Sequence, residues 1–155
     1  MESPVTVSSK ILAHRTVPGV LVQDVRVHNP TSALVQLSLE RLGIANWETA
    51  KSLTRTLEHG EGGVKYSIVT GVVGSSGRKV VVAVAAKKLP SSLEVKARMT
   101  ERLHLLTGVA YSAPLEDGQS EGEVRQAMER QAVQSVAAAA ALTWQRLHDS
   151  HTEVR

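Results

Sequence analysis

Cysteine is absent from the 155 residues, which excludes a disulfide framework, a Cys-ligated zinc or iron–sulfur centre and a thiol nucleophile. Phenylalanine is absent too, and two Trp and two Tyr bring the aromatics to only 3%, so the core must be built from Val, Leu, Ile and Ala. No apolar run approaches the roughly 20 residues that span a bilayer. The longest, Val80 to Ala86, has the length of a strand. The opening MESPVTVSSK lacks a basic stretch leading into an apolar one and does not read as a signal peptide. Basic clusters interleaved with aromatics are lacking, which argues against nucleic acid as a partner.

What is present is a globular balance, 42% apolar and 21% charged, at a length that suits one ordinary domain. The net charge of +3 hides an asymmetry. Residues 1–112 carry 14 basic and 8 acidic side chains, net +6, and residues 113–155 carry 4 and 7, net −3. A basic body and an acidic tail can attract each other, or the body can attract an anionic partner.

The first two thirds read as strands. Val35, Leu37 and Leu39 alternate with Gln36, Ser38 and Glu40, the period of a half-buried strand. Gln23 to His28 alternates as well, and Asn29-Pro30-Thr31-Ser32 between them is a turn in which Asn29 can bond its own backbone. Ile44 to Trp47 reads as a loop with one large anchor. Ser52 to His59 reads as a candidate strand of poor phase carrying Leu53 and Leu57, and Gly60-Glu61-Gly62-Gly63 breaks it. The β-branched runs Val64–Val73 and Lys79–Ala86 flank the glycine-rich Gly74 to Arg78 and predict a hairpin. Val69, Val73, Val80, Val82 and Val84 are its expected core residues. Pro90-Ser91-Ser92 reads as a turn. Thr100 to Tyr111, with Leu103, Leu105 and Val109 at even spacing, reads as a further strand.

The period then changes. Ser120 and Glu123 fit a capping box, and a helix is predicted from Glu121 to about His148. Val133, Val136, Ala137, Ala140, Trp144 and Leu147 form its apolar stripe. Strands followed by a helix predict a mostly-β fold, an antiparallel β-sandwich with one long C-terminal α-helix. The organisation follows: a β-sandwich over 1–112, a loop over 113–119, and the helix with its tail over 120–155.

The search for chemistry yields no catalytic, cofactor-binding or metal-binding residue. Of the six histidines only His148 and His151 are close in sequence, and no HExxH or comparable pattern completes a metal site. Gly71-x-x-Gly74-x-x-Gly77 precedes a strand rather than a helix, so it reads as a hairpin loop and not a phosphate cradle. No GxSxG elbow occurs, and Asn29-Pro30-Thr31 fails as a sequon. Glu58 and Glu61 beside the glycines read as exposed turn carboxylates.

The stretches VPGVLVQDVRVHNPTSALVQLSLERLGIANW, HGEGGVKYSIVTGVV and AALTWQRLHDSH, across residues 17–148, resemble an uncharacterised animal family of single-pass type I membrane proteins of the secretory pathway. The large lumenal region of that family is similar in plan to family-65 glycoside hydrolases. In that plan a β-sandwich is followed by a helical linker and an (α/α)6 barrel. The catalytic groups of those enzymes sit in the barrel, so no catalytic position carries over. The resemblance implies a fragment or shortened isoform, on the lumenal side of a membrane, that serves packing and partner contact without catalysis.

The expected partner is the remainder of the parent chain, or another protein, held through the C-terminal helix. A helix over 121–148 would be roughly 42 Å long, more than a body of this size covers, so Trp144 and Leu147 are expected to offer an apolar patch. Trp47 is the one candidate platform for a glycan, the weaker partner class, and its ordinary reading is a core anchor. The rival readings are an independent adhesion-type sandwich that binds protein through a strand edge, and a small hydrolase.

Overall fold

The computed structural model describes residues 4–41, 53–59, 64–74 and 78–152, and side chains for these except 53–59 and 143–152. Eight strands precede one helix: β1 Thr6–Ala13, β2 Val20–His28, β3 Val35–Ser38, β4 Leu53–His59, β5 Val64–Val73, β6 Val80–Lys87, β7 Ser92–Val95, β8 Thr100–Tyr111 and α1 Glu121–Thr152. The main sheet has six strands in the order β1-β2-β8-β6-β5-β4, and β3 and β7 form a second sheet. Every neighbouring pair is antiparallel. The protein is thus mostly β and antiparallel, with its C-terminal helix packed on the main sheet.

The expected hairpin is present as β5 and β6, with Val69 opposite Val84 and Val73 opposite Val80. Its phase differs from expectation. Tyr66, Ile68, Val81, Ala83 and Ala85 are the buried residues, while Val69, Val73, Val80, Val82 and Val84 are half-buried on the other face. The helix decides this. It lies mainly over β6 and β8, and a helix backbone approaches a sheet closely where the side chains between them are small. Ala83, Ala85 and Ala110 present such a surface, and Ala132 and Ala139 meet it from α1.

Gly108 marks the closest approach. A Cβ built there would sit 2.6 Å from the Ala132 carbonyl oxygen and 2.7 Å from Val136 Cγ2. Val133 and Val136 then fill the space towards Val20 and Leu106. Burying each such Val contributes about 1.5–3 kcal/mol. The buried stripe of the helix is Glu129, Ala132, Val133, Val136 and Ala139. Of the expected stripe, Val133 and Val136 are buried, Ala137 is half-buried and Ala140 is exposed.

The helix starts as its cap predicts: Ser120 Oγ accepts from the Glu123 N–H at 3.4 Å, and the Ser120 carbonyl accepts from the Val124 N–H at 3.2 Å. Its Glu121 and Glu123 suit the positive end of the helix dipole.

The two sheets share one ribbon. β2 and β8 pair from Val20–Gly108 to His28–Thr100, and the same two chain directions pair again as β3 and β7 from Val35–Val95 to Ser38–Ser92. Residues 29–34 on one side of the bend face the shorter 96–99 on the other, so the register shifts there.

Asn29 pins the bend. It is fully buried. Its Nδ2 donates to the carbonyls of Ala33, Val95 and Lys96 at 2.8, 3.0 and 3.2 Å, and its Oδ1 accepts from the Thr31 N–H and hydroxyl at 3.0 and 2.6 Å. The Asx turn expected of Asn29 is therefore formed, and the same side chain also ties the start of the bend to its return strand. Arg98, in the left-handed region at φ 63°, completes the return turn and donates through Nη1 to the Pro30 carbonyl.

Candidate functional site

Three places in the described residues carry side chains whose exposure or pairing invites a functional reading. The first is the outer edge of the main sheet. β1 pairs with β2 from Thr6–His28 to Ala13–Leu21, and all eight of its residues are exposed. Every second residue of an edge strand turns its N–H and C=O away from the sheet. The side chains on this edge are not those of a guarded edge. Val7 is 62% exposed, Ile11 68% and Leu12 57%, and Lys10 is the one charge on the strand. Val7, Ser9, Ile11 and Ala13 share the sheet face opposite α1. Thr6, Ser8, Lys10 and Leu12 share the helix-side face, because β1 stays in register with β2 throughout.

The second place lies on the helix-side face, where the ladder sets Lys10 beside Asp24 and Asp24 beside His104. Asp24 Oδ1 and Oδ2 accept from Arg102 Nε and Nη2 at 2.8 and 2.6 Å, a bidentate pair. The Arg102 hydrogen bonds hold the Asp24 carboxyl below its ordinary range, and Asp24 in turn raises the Arg102 guanidinium. His104 Nε2 stands 3.8 Å from Asp24 Oδ1, beyond hydrogen-bond length. Neither ring nitrogen of His104 makes a hydrogen bond among the described residues. A carboxylate beside an imidazole suggests an acid–base relay, but among the described residues no hydroxyl is hydrogen-bonded to the ring. The bidentate pair ties β2 to β8.

The third place is a cleft of about 430 Å³ where β8 gives way to the loop before the helix, lined by Tyr111, Pro114, Glu116, Gln119, Val124 and Met128 among others. Two of its polar groups hold the local backbone: Gln119 Oε1 accepts from the Glu116 N–H at 3.1 Å, and Ser112 Oγ accepts from the Val81 N–H at 3.0 Å.

Deeper in, Thr70 on β5 and Glu129 on α1 form a buried polar pair, Thr70 Oγ1 to Glu129 Oε1 at 2.6 Å. Burial raises the Tyr66 phenol, also on β5, above its ordinary value. Among the described residues, no group of three or more His, Asp or Glu side chains converges to hold a metal ion.

Of the residues singled out for interaction, Trp47 lies outside the described residues. Trp144 and Leu147 are on the last turns of α1, where the helix is described but their side chains are not. Glu58 lies in β4, and its side chain and Glu61 are likewise outside. The exposed edge β1 was not legible: TVSSKILA shows no face of one character, and only its exposed Val7, Ile11 and Leu12 hint at contact.

An antiparallel sheet covered on one face by a terminal helix, with a bare apolar edge and no assembled catalytic constellation among its described residues, defines a mostly-β sheet-and-helix module. The chain belongs to the uncharacterised conserved protein family DUF2152, whose family model it matches over residues 2–154. No curated protein and no solved structure matches the chain. Among the described residues no helix is long and apolar enough to cross a membrane.

Proposed function

We propose that this chain is a non-catalytic sheet-and-helix segment that works through packing and partner contact, within a lumenal membrane protein of the secretory pathway built on the plan of the family-65 glycoside hydrolases. The observation that carries the contact reading is β1, an edge strand with Val7, Ile11 and Leu12 exposed and a single Lys for protection. Strand addition to such an edge is a recurrent mode of protein recognition. The lumenal, hydrolase-like setting is supported by the sequence resemblance over residues 17–148. An independent adhesion-type module would use the same edge, and the length of the native product separates the two readings.

The contact reading is tested by a photoreactive side chain at Ile11, introduced into the protein as expressed in cells. Protein adducts are expected from Ile11 and not from Glu123, exposed on the first turn of α1. The absence of adducts from Ile11 would sink it. The non-catalytic reading is tested on disaccharides and aryl glycosides, where turnover is expected at the buffer blank. Turnover that disappears in a Glu58→Gln variant would revive the hydrolase.

A further inference from the structure

We infer that Asp117-Gly118, in the turn that leads into α1, is a site of spontaneous covalent modification, where the Asp117 carboxyl passes through a cyclic imide to an isoaspartyl link. It is the one Asp-Gly pair in the sequence, and no Asn-Gly pair occurs. The turn is closed twice between the same two residues. The Gln119 N–H donates to the Glu116 carbonyl at 3.1 Å, and the Glu116 N–H donates to Gln119 Oε1 at 3.1 Å. Between them Asp117 and Gly118 are exposed. Gly118 has a φ of 81°, as the third residue of a type II turn requires, and a Cβ built on it would meet nothing within 4 Å. Among the described residues neither the Asp117 carboxylate nor the Gly118 N–H makes a hydrogen bond. The electrophile and the nucleophile of the ring closure are thus adjacent, solvated and free to turn towards each other.

Water alone balances the step. The Gly118 nitrogen attacks Cγ of the protonated Asp117 carboxyl, the new C–N bond closes a five-membered imide, and the carboxyl hydroxyl leaves as water with the amide proton. Water then opens the ring. Attack at the former Cγ restores Asp117, and attack at the Asp117 backbone carbonyl leaves the chain running through Cβ and Cγ. A Cβ on the following residue hinders closure, and glycine has none. Asp24 is the contrast: Arg102 holds both its oxygens, and the β-branched Val25 after it is paired in the ladders to β1 and β8. The isoaspartyl link lengthens the main chain of the turn by one carbon, so the two bonds between Glu116 and Gln119 lose their geometry. Ser120, which caps α1, follows directly. The product is a chain whose helix start is loosened.

Incubation in heavy-oxygen water tests this, because each passage through the imide leaves a solvent oxygen on the residue, whereas an unreacted carboxylate keeps its own. Purified native chain is held warm at neutral pH for weeks, then digested in ordinary water. The peptide containing Asp117 should carry at least about tenfold more label than the one containing Asp24 and should split into two chromatographic forms. Labelling in the native chain should lie within about threefold of that in urea, because the fold leaves this turn unprotected. Gly118→Ala should cut it about tenfold, and Asp117→Asn should reach the same imide by losing ammonia. The Glu123 and Val124 amides, both bonded to Ser120, should exchange faster in the isoaspartyl form, and unchanged exchange would strike the effect on the helix. Equal labelling at Asp117 and Asp24, or native labelling more than about tenfold slower than in urea, would overturn the site.

Discussion

Thr70 and Glu129 meet at 2.6 Å in the interior, the hydroxyl of a β5 residue donating to a helix carboxylate 59 positions further along the chain. Both are buried, Thr70 completely and Glu129 to within 3%. Thr70→Val keeps the shape of the side chain and removes this donor. It should lower stability by about 1–3 kcal/mol, or several degrees in Tm for a chain of this size. Pairing it with Glu129→Met removes the polar partner too and should recover part of the loss. Urea melts of both variants check this, and an unchanged midpoint in Thr70→Val would show that the pair contributes nothing.

Asn29 offers a sharper case. Asn29→Ala strips three carbonyls of their fully buried donor and should cost about 2–3 kcal/mol. Asn29→Asp should cost more at pH 7, because it turns a carboxylate towards those carbonyls. Denaturation at pH 7 ranks the two variants, and a milder Asp variant would contradict the bonding described.

Acid should act through Asp24. Arg102 depresses its pKa in the folded state, so the unfolded chain binds that proton at higher pH. The stability from this pair is present above the unfolded value of about 3.9 and is lost as pH falls through the lower folded value. Asp24→Asn should therefore give a shallower fall of stability below about pH 4. Stability measured from pH 2 to 6 in both proteins reads the difference.

Packing of helix on sheet is tested at Gly108. Gly108→Ala places a methyl against the backbone carbonyl of Ala132, where nothing flexible can give way, and should cost about 1–3 kcal/mol. The face assignment is tested next to it. Val81→Asp should be far more damaging than Val82→Asp, since Val81 is fully buried beneath the helix and Val82 is not. Equal melting temperatures for the two Asp variants would mean that the faces are assigned wrongly.

Much of this architecture is legible in the residues. β2, β3, β5, β6 and β8 all fall on β-branched or alternating runs, and the helix begins where Ser120 and Glu123 place it. The phase of β6 is not legible, because VVVAVAAK is apolar on both sides. Which side is buried follows from the helix needing Ala83 and Ala85 beneath it. β1 and β7 are missed for a different reason. TVSSKILA interrupts its apolar alternation at Ser9 and sets Leu12 on the other face, so its period is hard to read, and SLEV is too short to show a period. The readable Asn29 turn does not tell that β3 leaves for a second sheet, since Val95, which pairs with Val35 there, lies 66 residues beyond Asn29. The edge that carries the contact reading thus comes from topology, whereas Trp47, Trp144 and Leu147 come from composition and lie where side chains are not described.

The ribbon that β2 makes with β8 also sets the order in which the molecule can assemble. His28 meets Thr100 across 72 residues, so closing this ladder costs loop entropy before any contact repays it. The β5–β6 hairpin can close early, being local. β1 and β2 have no place in the sheet until β8 has been made, and the helix that seals it comes later still. Refolding should accordingly be slow, with the amides inside the local β1–β2 and β5–β6 hairpins protected first and those bonded between β2 and β8 later, an order that pulsed hydrogen exchange can read.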